Sequence, residues 1–313
     1  MDDTPVTRYG LVWPLGMNDL QIEMACYRYW DEYSKQGATL GAKSAHFSRA
    51  ILALWGPCGY VWHDWMDRRV VSWCRSGFDD YETWWGPSST GKSTDAGIIA
   101  LTHWLSAPAM TTLTIVSTTL PMLRKRIFGE IAKYYLKGKK MWDLPGDYKP
   151  SKFQISLDEG DNTKNGIFGV AIQKATVKEA LGNLVGVHNV YNSLIIDEMQ
   201  ATKAVATDAI DNLATGKEFK FLGMGNPESR LDPLGEFSEP IQGWESISPA
   251  NSSWKTKYGY CEFFNGRESP GVKNPLKFFF MLTAKQIEAT KESRGEDSPA
   301  FWSQRIGFIP PEG

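Results

Sequence analysis

Eight consecutive residues, Gly86-Pro87-Ser88-Ser89-Thr90-Gly91-Lys92-Ser93, fit the pattern G-x-x-x-x-G-K-[ST] and follow an aromatic run, Tyr81 to Trp85, that reads as a strand. The glycines let the backbone turn tightly around an anion, so that its N–H groups point inward. Lys92 adds a mobile positive charge for β- and γ-phosphates, and Ser93 offers a hydroxyl to Mg²⁺, which takes few protein ligands. With Thr94 these residues form the expected nucleotide-binding stretch. The segment Ser93 to Leu105 is apolar enough to be the helix whose positive end faces the phosphates. The loop by itself does not choose between kinase, GTPase, ATPase and motor.

A second constellation narrows the choice. Asn192-Ser193-Leu194-Ile195-Ile196-Asp197-Glu198-Met199 is an apolar run ending in two carboxylates, the way a buried parallel strand delivers acids to the ligand-binding edge of an α/β sheet. Asp197 is expected to hold Mg²⁺ through a water, and Glu198 to orient and deprotonate the water that attacks the γ-phosphate. GTPases and small-molecule kinases do not generally place a carboxylate there, so the adjacent Glu favours the additional-strand, catalytic-glutamate branch of the P-loop ATPases. No Asn-Lys-x-Asp tetrapeptide for reading guanine occurs, which makes ATP the expected nucleotide. Phe219 to Pro227 reads as another strand entering a tight Gly225-Asn226-Pro227 turn. The Asn226 amide there could gain or lose a hydrogen bond as a γ-phosphate comes and goes, although the same three residues are also ordinary turn formers.

The order Gly86–Ser93, Leu194–Glu198, Gly225-Asn226-Pro227 and finally Phe301-Trp302-Ser303-Gln304-Arg305-Ile306-Gly307-Phe308-Ile309-Pro310 resembles the ATPase half of the large terminase subunit, the DNA-packaging motor of tailed phages. The resemblance covers roughly residues 80 to 313. It implies that Asn226 belongs to a coupling motif linking hydrolysis to movement, and that the Gly307-Phe308-Ile309-Pro310 ending marks the exit from the ATPase domain. It further implies ATP and Mg²⁺ as cofactors, double-stranded DNA as cargo, and the portal protein and small terminase subunit as partners. A homo-oligomeric ring on the procapsid portal, in the host cytoplasm, goes with that reading. An RNase H-type nuclease normally follows in this family. Here the sequence stops at Pro311-Glu312-Gly313, without a second set of spaced aspartates for two metals, so no endonuclease activity is expected of this chain. Some members carry an arginine inside the phosphate loop, whereas Pro87 to Thr90 contain none. The charge-neutralising arginine is then expected from Arg124, Arg126, Arg230 or a neighbouring subunit. A helicase-like or other nucleic-acid-stimulated ATPase, and an ATP-switched scaffold or binding protein, are the competing readings.

Composition agrees with a globular nucleotide enzyme. The 313 residues are 42% hydrophobic, enough for a sizeable core, and neither a membrane span nor a secretory signal is evident. Cys26, Cys58, Cys74 and Cys261 form no C-x-x-C pair, and a metal site from Cys58, His63 and Cys74 is disfavoured against reduced core cysteines. A net charge of −2 restricts any DNA contact to a local patch. The best basic cluster is Arg124-Lys125-Arg126 continuing through Lys133, Lys137, Lys139 and Lys140 at helical spacing; a solvated helix face is its plain alternative.

The elements that must position these residues follow from periodicity. The fold class is α/β, a mainly parallel sheet flanked by helices; the resemblance implies that the N-terminal helices and the C-terminal stretch pack together as a small helical, lid-like subdomain over that core. Residues 1–80 form the N-terminal helical segment, 81–250 the ATPase core, and 251–313 its C-terminal part and exit linker. Predicted helices cover Gly16–Gln36, Lys92–Leu105, Leu120–Leu136, Val205–Leu213 and Thr283–Ser293, with a helical, tryptophan-rich region from His46 to Cys74. Trp55, Trp62, Trp65 and Trp73 there read mainly as core, with adenine stacking as a minor alternative. Predicted strands are Tyr81–Trp85, Thr112–Ser117, Leu194–Ile196, Phe219–Met224 and one near Trp244–Ile247. Lys152–Leu157 and Gly166–Ile172 pair as a hairpin around Asp158-Glu159-Gly160-Asp161. His188 sits in a loop before the acidic strand and stays outside the site.

Overall fold

Successive side chains of a strand alternate between faces, so a sheet buried on both sides reads as an unbroken apolar run. That is how the central strands are built. Leu194 and Ile196 enter one core while Ile195 enters the other; Phe219 and Phe221 likewise oppose Leu222 and Met224. The computed structural model describes residues 6–9, 11–13, 16–29, 39–157, 164–172, 189–202 and 210–310. Within these, the eleven strands are β1 (Val6–Arg8), β2 (Leu11–Trp13), β3 (Tyr81–Trp85), β4 (Thr111–Ser117), β5 (Asp147–Lys149), β6 (Gln154–Ser156), β7 (Gly166–Ala171), β8 (Tyr191–Asp197), β9 (Glu218–Gly225), β10 (Ser253–Lys255) and β11 (Gly259–Phe263).

Nine of these form one sheet in the order β10-β11-β3-β9-β8-β4-β7-β6-β5, while β1 and β2 form a separate hairpin. The stretch from β11 to β7 is parallel, and antiparallel strands close both edges. The mainly parallel sheet expected from the sequence is therefore present, and β9 is the additional strand between the loop-bearing β3 and the acid-bearing β8.

The main helices are α1 (Asp19–Arg28), α2 (Leu40–Trp55), α3 (Asp64–Arg75), α4 (Lys92–Leu105), α5 (Leu120–Lys125) and α6 (Ile127–Trp142). On one face of the sheet α4 and α6 pack with α2 and α3, whose Phe47, Ile51, Trp55, Trp65 and Trp73 share a core with Ile98, Leu101 and Ile131. The tryptophans at 55, 65 and 73 are thus core residues. The opposite core joins Trp85, Phe221 and Phe263 to Leu282, Phe301 and Ile306 near the C-terminus.

Several expectations change. The helix predicted over Leu120–Leu136 is two helices, because Arg126 at φ −108°, ψ −117° leaves the helical region between α5 and α6. No strand forms near Trp244: Trp244–Ser246 is a 3₁₀ turn after Gly243 at φ +85°, and the apolar signal comes from Trp244 stacking on Trp85 at 6.0 Å. The sheet also runs on past residue 250, through β10 and β11, so the division drawn there falls within it. The N-terminal helix begins after Asn18, whose side chain forms a capping box with Gln21, and its described part ends at Arg28. The acidic turn at 158–161, His188 and most of the predicted Val205–Leu213 helix lie outside the described residues.

Candidate nucleotide site

Register brings the three motifs together. Trp85 of β3 pairs with Gly225 of β9, and Met224 pairs with Asp197 of β8, so Gly86, Asn226 and Glu198 leave the sheet side by side at its C-terminal edge. Gly91, left-handed at φ +74°, turns the chain into α4, and Ser89 is also left-handed at φ +61°. Lys92 is buried. Its Nζ donates to Gly86 O at 2.6 Å, Pro87 O at 2.7 Å and Asn226 Oδ1 at 3.0 Å. Burial pushes the ammonium down to about 7, with Arg69 and Arg126 adding to the effect and Asp197 opposing it. Asn226 also donates from Nδ2 to Ser88 Oγ at 2.8 Å, so its amide bridges the lysine and the loop.

Ser93 Oγ lies 3.4 and 3.5 Å from the two oxygens of Asp197. Asp197 is 1% exposed, and burial raises its carboxyl to about 6 although Arg126 and Lys92 pull it down. A hydroxyl and an under-compensated buried carboxylate this close are hard oxygen donors of the kind Mg²⁺ takes, the remaining positions going to water and phosphate. The donor set therefore fits the ion. Glu198 is left-handed at φ 56°, ψ 46°. One carboxylate oxygen is ion-paired to Arg126 Nη1 and the other accepts from Gln200 Nε2 at 2.8 Å. The break between α5 and α6 is what delivers Arg126 to this carboxylate.

The loop has supports that motif spacing does not show. Arg69 of α3 is fully buried, donates with both Nη atoms to Thr90 O at 3.2 Å, and ion-pairs with Asp95. By taking the Thr90 carbonyl, it turns that acceptor toward the buried guanidinium of α3. Asp95 also accepts from Tyr60 Oη at 2.8 Å and has His63 Nε2 at 3.3 Å. From the C-terminal side, Leu282 N donates to Ser89 O at 2.7 Å and Ser88 N to Gln304 O at 3.3 Å. Beside the loop is a cleft of about 630 Å³ lined by Ser88 to Asp95, Arg126, Glu198 and Asn226 and by Tyr60, His63, Tyr134 and Phe280, among others. Thr94 is thus part of its wall.

No protein-family model matches the chain, and no curated protein does. Among solved structures it is similar to the large terminase ATPase domain of Thermus phage P74-26, at 15% identity over 80% of this chain and 95% of that one, with a TM-score of 0.53. A mutant of the same domain aligns at 14% identity, over the same shares, with a TM-score of 0.55. The large terminase of bacteriophage HK97 aligns at 12% identity over 79% of this chain and 50% of that one, with a TM-score of 0.52. The chain has the fold of a large-terminase ATPase domain.

On that fold the three candidate arginines part company. Arg126 lines the cleft; Arg124 lies over the Phe153 ring at 5.4 Å, and Arg230 over Trp244 at 5.4 Å in a separate hollow with Trp302 and Phe308. The basic helix face is largely tied down. Lys133 pairs with Glu130, Lys137 donates to Cys58 O at 3.1 Å, and Lys139 bonds Gly146 O and Asp147. Among the described residues no group of three or more His, Cys, Asp or Glu gathers as metal ligands. No helix among them is long and apolar enough to cross a membrane.

Proposed function

We propose that this chain hydrolyses ATP, and that hydrolysis drives double-stranded DNA into a procapsid with the portal protein and the small terminase subunit as partners. The observation that carries the hydrolytic reading is the convergence of Lys92, Ser93, Asp197, Glu198 and Asn226 at one sheet edge, beside a cleft of about 630 Å³. The loop N–H groups and the start of α4 bind the β- and γ-phosphates. Lys92 exchanges its three carbonyl acceptors for phosphate oxygens. Ser93 and Asp197 would hold Mg²⁺, which would supply positive charge against that of the phosphates.

Glu198 orients and deprotonates the attacking water, which requires one of its oxygens to leave Arg126 or Gln200. Arg126 is placed to make that exchange, trading the carboxylate for the γ-phosphate and supplying the charge that the loop lacks. Asn226 loses its Lys92 contact when the lysine turns to phosphate, so its amide registers nucleotide state and passes it to β9. The packaging role extends this reading through the shared fold, with a ring of copies on the portal in the host cytoplasm as its assembled form.

Steady-state ATP hydrolysis measured against protein concentration, with and without duplex DNA and with Glu198→Gln as background, tests both halves. Turnover that rises with concentration or DNA supports a ring motor. Tight ATP binding without turnover under any of these conditions sinks the motor reading in favour of an ATP-switched binding protein, and strand separation coupled to turnover would favour a helicase.

A further inference from the structure

Besides the loop residues and Lys125, Glu130 and Lys133, the cleft wall carries the rings of Tyr60, His63, Tyr134 and Phe280. Tyr134 and Tyr60 have centroids 6.2 Å apart, Tyr60 and His63 6.5 Å, His63 and Phe278 6.1 Å, and Phe278 and Phe280 6.2 Å. The first four are buried, whereas Phe280 is 51% exposed although it lines the cleft. An aromatic left half in water at the mouth of an anion-binding cleft leaves apolar area that a flat ligand would cover. His63 Nδ1 is buried at this wall with no hydrogen-bond partner among the described residues, a second polar atom there that a ligand group would satisfy.

We propose that Phe280, on the wall of this cleft, is the stacking platform for the base of the bound nucleotide. This rests on the ATP reading above and assigns the nucleoside half of that site. The wall behind the platform is rigid: Tyr60 and His63 are anchored on Asp95, which Arg69 ties to the loop at Thr90. The platform is tied to the same loop from the other side, because Leu282, two residues on from Phe280, donates its N–H to Ser89 O at 2.7 Å. A base resting on Phe280 therefore loads the backbone that cradles the phosphates, so base and phosphate binding reinforce each other. A triphosphate without a base lacks the contact with Phe280.

The test is calorimetric titration of Mg-ATP and of Mg-tripolyphosphate into the full chain, its Phe280→Ala and Phe280→Tyr variants, and Lys92→Ala. Loss of a base–aromatic stack should weaken ATP binding by roughly tenfold or more in Phe280→Ala, while tripolyphosphate binding is unchanged and Phe280→Tyr keeps parental ATP affinity. Thermal unfolding of each variant checks that the fold is intact. Parental ATP affinity in Phe280→Ala overturns the assignment, as does an equal loss of both ligands, or a tyrosine variant no better than alanine. Failure of the parent chain to bind ATP, or indifference of both ligands to Lys92→Ala, would instead bring down the underlying ATP reading and the platform with it.

Discussion

Nucleotide binding should be proton-linked, with a sign that reverses between pH 6 and pH 8. In the nucleotide-free chain burial holds Lys92 down to about 7, far below its ordinary 10.5. A triphosphate at the loop restores an ammonium to its usual range, so binding must load the proton that the free lysine lacks. At pH 8 about nine-tenths of the free lysine is neutral, and binding takes up roughly 0.9 proton; at pH 7 it takes up about half. Affinity then falls toward tenfold per pH unit above 7. On the acid side Asp197, raised to about 6, must be ionised to hold Mg²⁺. At pH 6 it releases about half a proton against an uptake of about 0.1 by Lys92. Calorimetry of Mg-ATP in buffers of different ionisation enthalpy, on the Glu198→Gln background to stop turnover, reads both quantities. Lys92→Arg, whose guanidinium does not titrate, should lose the uptake at pH 8. Absence of uptake in the Lys92 chain at pH 8 would refute the reasoning: the carbonyls of Gly86 and Pro87 and the Asn226 amide, three acceptors for three N–H donors, would then outweigh burial.

Further substitutions separate binding from turnover and from stability. Glu198→Gln should keep ATP affinity and lower kcat by about 10²–10⁴, read by single-turnover hydrolysis; parental turnover would remove Glu198 as the base. Asn226→Ala takes one acceptor from Lys92 and the partner of Ser88, and should leave ATP affinity within about twofold while uncoupling hydrolysis from DNA. Unchanged DNA stimulation would return Gly225-Asn226-Pro227 to a plain turn. Asp197→Asn should abolish Mg²⁺-dependent binding yet stabilise the nucleotide-free fold. The acid's folded pKa lies above its unfolded value of 3.8, so the parent loses stability as pH rises from about 4 to 6, by up to roughly 3 kcal/mol that the amide keeps. Denaturant melts at pH 5 and 7.5 should show a little under half of it, about 1.4 kcal/mol, as the difference that the parent loses and the amide keeps. Arg69→Met strips the buried Asp95 of its cation and should cost about 3–5 kcal/mol in the same melts.

What was legible in the sequence is what chemistry demands locally. A phosphate loop needs its residue types at fixed spacing, and a strand buried on both faces needs an unbroken apolar run. Hence Tyr81–Trp85 and Lys92–Leu105 fall on their predicted bounds, and Leu194–Ile196 and Phe219–Met224 fall inside the observed strands. Arg69 was not legible, because its partner Thr90 is 21 residues away and nothing in an amphipathic helix marks which cation turns inward. Arg126 was named only as one of three cations. The break that places it on Glu198 follows no glycine or proline at that position; it shows only in the backbone angles. The edge strand β10 and its neighbour β11 were missed: β10 has only three residues and β11 interrupts its apolar positions with Glu262, whereas Trp244 suggested a strand by an apolarity spent on Trp85.

The C-terminal pattern acquires a physical meaning from where it lies. Gly307 is left-handed at φ +81°, and a Cβ there would stand 2.4 Å from Pro87 Cδ and 2.7 Å from the Gly86 carbonyl carbon, so both conformation and space require glycine. Phe308 then packs on Phe263 at 5.3 Å and on Trp85, the residue just before the loop, at 5.6 Å. With Gln304 O accepting from Ser88 N, the segment 304–308 grips the entry to the loop, while Leu282 holds Ser89 and Arg69 holds Thr90. The loop can therefore shift toward a phosphate only by moving one of three neighbours. Arg69 is the least free of them, fully buried and ion-paired. The C-terminal contacts, single backbone hydrogen bonds and one close glycine approach, are the ones that give. A shift of the loop would therefore be felt first at residues 282 and 304–308.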